Sequence, residues 1–175
     1  MIYQVAVCGP AECRADEAAR ARRVGELLAE RGAVVLCGGG AGVMAAVAAG
    51  ARGRGGLVVG IRPDAGRGGS DLSAVIVTDM GEARNAIIVQ SADAVISVGG
   101  SWGTLSEIAL ARRRGGIPVI ALGGWRVLDE NGNPVPGIDH VDTPEAAVAA
   151  AMSGRDGRDP DEGPGHPGGG YFTVR

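Results

Sequence analysis

Residues 94–107 read AVISVGGSWGTLSE, and this stretch decides the fold. Ala94 to Val98 is an uninterrupted apolar run, the mark of a strand covered on both faces. A glycine loop follows, and a helical pattern runs from Thr104 to Arg114. The loop itself reads three ways. Gly99-Gly100-Ser101-Trp102-Gly103 fits the G-x-S-x-G nucleophile elbow of serine hydrolases. Thr104-Leu105-Ser106-Glu107 fits a capping box, with the Glu107 carboxylate reaching back to the Thr104 N–H. Glycines ahead of a helix N-terminus also fit a phosphate cradle. Glycine permits close approach, and the first amides of a helix are free to meet an anion.

The same strand-loop-helix unit repeats along the chain. Ile2–Cys8, Ala33–Cys37, Leu57–Ile61, Ala74–Thr78 and Ile117–Leu122 read as further strands. Asp16–Arg31, Ala41–Arg52 and Glu82–Ser91 read as helices, Gly32 stopping the first. Arg112, Arg113 and Arg114 suit the negative end of their helix. Residues 125–140 form a turn-rich excursion, with Asn131-Gly132 as a candidate hairpin turn. Thr143-Pro144-Glu145 caps a last helix running to Met152. Strands alternating with helices predict an α/β, Rossmann-like sandwich, its mostly parallel central sheet covered by helices on both faces. The expected domain is 1–152. Residues 153–175, rich in Gly, Pro, Asp and Arg, read as a flexible tail, and Tyr171–Val174 could dock back as a short strand.

Ligands of such sheets sit beyond the carboxyl ends of the strands. Three glycine loops fall there: Cys8-Gly9-Pro10, Gly38–Gly42 and Gly99–Gly103. Together they predict a phosphate-bearing ligand. Gly40-Ala41-Gly42-Val43-Met44-Ala45 also fits the dinucleotide fingerprint, with Asp64 for a ribose or Arg62 for a 2′-phosphate, but it lies in the second βα unit. The serine elbow needs a later acid and histidine. Outside the tail only His140 qualifies, with Asp129 or the adjacent Asp139, and no HGGG-type loop is present.

Composition narrows the classes. Lysine and arginine together number 17, and all of them are arginine. A Walker loop and a pyridoxal phosphate Schiff base both need lysine and are excluded. Cys8, Cys13 and Cys37 lack metal-ligand spacing, and His140 and His166 are the only histidines, so no metal is expected. The net charge is −3 and aromatics make up 3% of the chain, which argues against a nucleic-acid surface. No apolar run approaches the roughly 20 residues of a membrane span, and MIYQVAVCGP is not a signal peptide. A cytoplasmic protein is the expectation.

A longer pattern resembles the LONELY GUY (LOG) family. Arg84-Asn85 is followed by Ser91-Ala92-Asp93 and then by Gly99-Gly100-Ser101-Trp102-Gly103-Thr104-Leu105-Ser106-Glu107. The family carries an Arg-Lys pair, an aspartate, and P-G-G-x-G-T-x-x-E, and from Arg84 to Glu107 the spacing matches without a gap. Gly38-Gly39-Gly40-Ala41-Gly42-Val43-Met44 is similar to the family's G-G-G-x-x-G-L-M loop, one residue shorter. The resemblance spans residues 2–123. Asn85 replaces the family lysine, Gly99 its proline and Ser101 its second glycine. This Arg-Asn, V-G-G-x-x-G-T-L-S-E version resembles a branch of largely unassigned function, similar to the molybdenum cofactor carrier proteins.

The resemblance implies a nucleoside 5′-monophosphate ligand. Its phosphate would lie on the N–H groups of Gly100, Ser101, Gly103 and Thr104, within the Gly99–Gly103 loop. Its base would lie towards Gly39, Gly40, Gly42 and Met44, with Gly9 alongside. Arg84 and Glu107 match the catalytic pair of the family's phosphoribohydrolases. Glu107, ionised at a helix start, would stabilise an oxocarbenium-like state or activate water, Arg84 would orient Glu107 or contact the phosphate, and the products would be free base and ribose 5-phosphate. That pair favours a hydrolase needing no cofactor. The alternative, favoured by Asn85, is a carrier of molybdenum cofactor or another phosphorylated pterin that does no chemistry. A homodimer or higher homo-oligomer is implied.

Overall fold

The computed structural model describes residues 2–66 and 68–155. Most of the expected tail, from residue 156 on, and Tyr171–Val174 lie outside the described residues.

Seven strands form one sheet: β1 Gln4–Cys8, β2 Val34–Cys37, β3 Val58–Arg62, β4 Ala74–Val77, β5 Ala94–Val98, β6 Val119–Leu122 and β7 Asp139–Val141. Their order is β4-β3-β2-β1-β5-β6-β7, and every neighbouring pair is parallel. Five helices cover it: α1 Ala15–Glu30, α2 Val43–Gly53, α3 Arg84–Gln90, α4 Trp102–Arg114 and α5 Pro144–Met152. The α/β sandwich with helices on both faces is therefore the observed fold.

Strand alternation sorts the core into two halves. Val5, Val7, Val35 and Cys37 point into one, with residues of α1, α2 and α5. Ala6, Cys8 and Leu36 point into the other, with Ile88 and Val89 of α3 and Ile108 and Ala111 of α4. All five residues of β5 are buried, as a central strand requires. Helices α1 and α2 cross with backbones in contact. A Cβ on Gly50 would lie 2.0 Å from the Arg22 carbonyl oxygen, and one on Gly25 would lie 2.2 Å from that of Val47.

The chain leaves β1 towards β2 and returns from β4 to β5, on the other side of β1. The strand order reverses between β1 and β5, so their loops part and leave a crevice at the carboxyl ends.

Three elements differ from the sequence reading. Helix α4 begins at Trp102, two residues early, because Ser101 rather than Thr104 is its cap. The third helix is shorter, starting at Arg84 after a 3-10 turn, Gly81–Ala83. Strand β7 was not expected. It is three residues long and pairs parallel to β6 at the sheet edge. The expected hairpin about Asn131-Gly132 is present: Leu128 and Pro134 form an antiparallel bridge, the Val135 N–H donates to the Val127 carbonyl and the Asp129 N–H to that of Asn133. Arg114 has a more specific role than charge at a helix end: its Nη1 donates to the carbonyls of Val89 and Ala92 at 2.6 Å, tying α4 to the end of α3. No helix among the described residues is long and apolar enough to cross a membrane.

Candidate ligand-binding site

The crevice is a cleft of about 220 Å³. Cys8 and Gly9 from the end of β1, Gly38 after β2, Arg84 and Asn85 of α3, and Ser101, Gly103, Thr104 and Glu107 at the start of α4 all line it. A smaller depression of about 140 Å³, lined by Gly39, Gly40, Met44 and Leu72, adjoins it. Met44 lines both.

Arg84 is the centre of the cleft floor. It is 8% exposed, a rare burial for a guanidinium. Its Nη1 donates to Asn85 Oδ1 and lies 3.7 Å from Glu107 Oε1. Its Nη2 lies over Gly38, where a Cβ would come within 2.7 Å of it. Its Nε is buried and has no hydrogen-bond partner. An unmatched donor on a buried cation is costly in a folded chain and is relieved by an anionic acceptor. The Asn85 amide donates to Ser106 Oγ at 2.9 Å and to Glu82 Oε2 at 3.4 Å, so Asn85 fixes the arginine against two elements.

Glu107 is 7% exposed and faces Arg84. Burial pushes its pKa up from 4.5 to about 7. The Arg84 charge and a hydrogen bond from the Cys8 thiol pull it back in part. The Cys8 thiol is itself pushed well above its usual range, first by its own burial and then by Glu107. The sequence sets Cys8 in the first glycine loop but assigns its thiol no role. The signal was available, since Cys8 ends the strand beside the crevice.

The structure places the other sequence-derived candidates as follows. Gly9, Met44, Ser101, Gly103 and Thr104 line the cleft, with Arg84 and Glu107. Gly39 and Gly40 line the adjoining depression. Gly42, Gly99 and Gly100 line neither and allow close packing. A Cβ on Gly42 would lie 2.3 Å from the Ala11 carbonyl, one on Gly99 2.6 Å from Glu17 Oε1, and one on Gly100 2.7 Å from the Trp125 ring. The Thr104 N–H donates to Ser101 Oγ at 3.2 Å.

Several local expectations change. Glu107 is not the third residue of a capping box, because α4 starts two residues earlier and Ser101 accepts from Thr104. Nor does its place near a helix start keep Glu107 in the usual carboxylate range, since burial pushes it up to about 7. The serine elbow, already disfavoured by the sequence, has no partner among the described residues: Ser101 Oγ is engaged with Thr104 Oγ1 at 2.9 Å, and His140 lies on β7, two strands beyond β5. Asp64 accepts both Nη2 and Nε of Arg62, whose Nη1 donates to the Gly39 carbonyl at 2.8 Å. That pair braces the glycine loop. Among the described residues no three His, Cys, Asp or Glu side chains form a group that could hold a metal.

The chain matches the SLOG cluster4 family over residues 2–148. It is 44% identical over 158 residues to an uncharacterised protein of Archaeoglobus fulgidus, covering 87% of this chain and 96% of that one. Among solved structures it is similar to the molybdenum cofactor binding protein of Rippkaea orientalis, with 32% identity, TM-score 0.75, and 85% and 94% of the two chains covered. It is also similar to the molybdenum cofactor carrier protein of Chlamydomonas reinhardtii, with 26% identity, TM-score 0.78, and 89% and 99% covered. These relatives overturn the expected hydrolase. The two solved structures are described by binding and carriage, not by hydrolysis.

Proposed function

From the premise that the chain belongs to the SLOG cluster4 family, within the LOG and molybdenum cofactor carrier superfamily, we propose that it binds and carries a small phosphorylated pterin. Molybdenum cofactor is the leading candidate cargo. One observation carries the reading: a buried arginine with an unpartnered Nε on the floor of the cleft between β1 and β5. Such a donor suits a phosphate oxygen, and charge-assisted hydrogen bonds are the strong ones. The positive end of the α4 dipole adds to the attraction. The adjoining depression, with Met44 and Leu72 on its walls, suits the flat apolar part of a pterin. In this reading Arg84 and Glu107 are binding residues. The cargo enters and leaves intact. The Arg84-Asn85 pair with V-G-G-x-x-G-T-L-S-E marks the carrier-like branch, and residues 1–152 are the unit that binds.

Purifying the protein after co-expression with molybdenum cofactor synthesis, then reading pterin fluorescence after oxidation, tests this. Pterin is expected to accompany the native chain. An Arg84→Met variant, which keeps side-chain length, should retain at least tenfold less, in line with losing about 1.5–3 kcal/mol from a charged hydrogen bond. Its melting curve checks that it folds. Native protein without pterin, or one that releases free base from adenosine monophosphate, overturns the reading.

A further inference from the structure

The chain has two tryptophans, and they meet. Trp102 opens α4, and Trp125 follows β6. Their ring centroids are 5.0 Å apart at 80°, an edge-to-face pair. Trp102 is 78% exposed and Trp125 is 44% exposed. Large exposed indoles are unusual in a chain with so few aromatics, and an exposed apolar pair marks a place where something binds.

The pair is held in position. Trp125 packs over Gly100, as the Cβ distance above requires. A Cβ on Gly124 would lie 2.1 Å from the Gly99 carbonyl oxygen, so the loops after β5 and β6 lie backbone to backbone. Two parallel loops, Gly99-Gly100-Ser101-Trp102 and Gly123-Gly124-Trp125, thereby present one aromatic corner. It lies next to the cleft along the chain: Ser101 and Gly103, on either side of Trp102, line the cleft, and the two indoles stand outside it. The Arg20 guanidinium lies against Gly123 beside it.

Three features now stand in one row across the carboxyl ends of the strands. The Met44 depression lies beyond β2 and β3, the Arg84 cleft between β1 and β5, and the tryptophan corner beyond β5 and β6. Strands lie about 4.8 Å apart, so the row from β2 to β6 spans roughly 14 Å. A ligand with one ring, one charged centre and nothing further leaves the last position unused. A ligand with a ring at each end of a pyrophosphate uses all three.

We propose that the Trp102–Trp125 corner is a stacking subsite for a second planar ring, so that the chain prefers a pyrophosphate-linked nucleoside form of its pterin over the monophosphate. This rests on the carrier reading and names the cargo more closely. A base stacks on the open face of Trp102, held upright by the edge of Trp125. The monophosphate meets only the cleft and the Met44 depression.

Titration of the intact protein with the pterin monophosphate and with its pyrophosphate-linked nucleoside form tests the idea, read by calorimetry and by tryptophan fluorescence. The fluorescence comes from this pair alone. The dinucleotide form is expected to bind about 5–150-fold tighter, the range for one base on one aromatic ring, and to quench the emission. The monophosphate should leave the emission nearly unchanged. Trp102→Ala should remove the advantage and leave monophosphate affinity as it was, while Trp102→Phe should keep part of it. Equal affinities for the two forms overturn the subsite while leaving the carrier reading standing. So does a Trp102→Ala variant that weakens both forms alike, or one that turns a native dimer into a monomer, which makes the corner a subunit contact. If neither form binds, the carrier reading falls and the subsite with it.

Discussion

Glu107 answers to two opposed influences. Burial favours its neutral form, while Arg84 and the Cys8 thiol favour its anion, and burial prevails at about 7 against the usual 4.5. A group whose folded pKa is raised stabilises the fold fully below its unfolded value, and that contribution is lost as pH climbs through the folded one. Between about pH 4.5 and pH 7, then, this residue alone withdraws about 3 kcal/mol from the native state. Gln cannot titrate. Relative to the native protein, Glu107→Gln should gain stability as pH rises from about 5 to about 8, by up to that amount, in thermal melts at the two pH values. The slope is the signature, since losing the Arg84 contact shifts both ends together. A flat difference would mean that Glu107 is ionised throughout. The sequence singled out Arg84 and Glu107 only through a spaced motif. It did not place Cys8 against Glu107 or Asn85 against Ser106, because those contacts join different elements and exist only once strand β1 and helices α3 and α4 are packed. The motif also misled: Ser101 and Thr104 both fit a helix cap, and only the observed start of α4 chooses Ser101.

At the scale of elements, the α1–α2 crossing makes a sharp demand. Gly50 lies within α2, where alanine would normally gain roughly 1 kcal/mol in helix propensity. Its absent side chain, however, is where the Arg22 carbonyl sits, at 2.0 Å. Gly50→Ala should therefore lose about 2 kcal/mol net, the usual cost of overpacking outweighing propensity. Denaturant titration with an unchanged slope would show this, and a stabilised variant would mean that the two helices do not touch there. Strong local signals made most elements legible. The apolar run Ala94–Val98 and the Thr143-Pro144 cap were both read to the residue. Strand β7 escaped because Asp139-His140-Val141 is short, polar and half-exposed, and only its pairing with β6 makes it a strand. Helix α3 was overextended because Gly81–Ala83 carries no mark that separates a 3-10 turn from a first helical turn.

For the molecule as a whole, both halves of the core share one sheet, and every strand from β1 to β3, with β5 and β6, contributes buried side chains. The chain should unfold in a single transition. Tryptophan fluorescence, which reports the loops after β5 and β6, and far-ultraviolet circular dichroism, which reports the helices, should give coincident denaturation curves. A fluorescence change at lower denaturant would mean that the carboxyl-end loops melt on their own. The walls around the cleft are joined backbone to backbone at Gly42 with Ala11 and at Gly124 with Gly99, and behind them Gly25 and Gly50 lock α1 to α2. Such a receptacle is a socket, not a jaw. On the proposed carrier reading, it spends little entropy on closing around its cargo, and it has no jaw to loosen when the cargo must go. For a carrier, delivery then falls to the recipient. Whatever takes the cargo must then draw it out against the contact with Arg84.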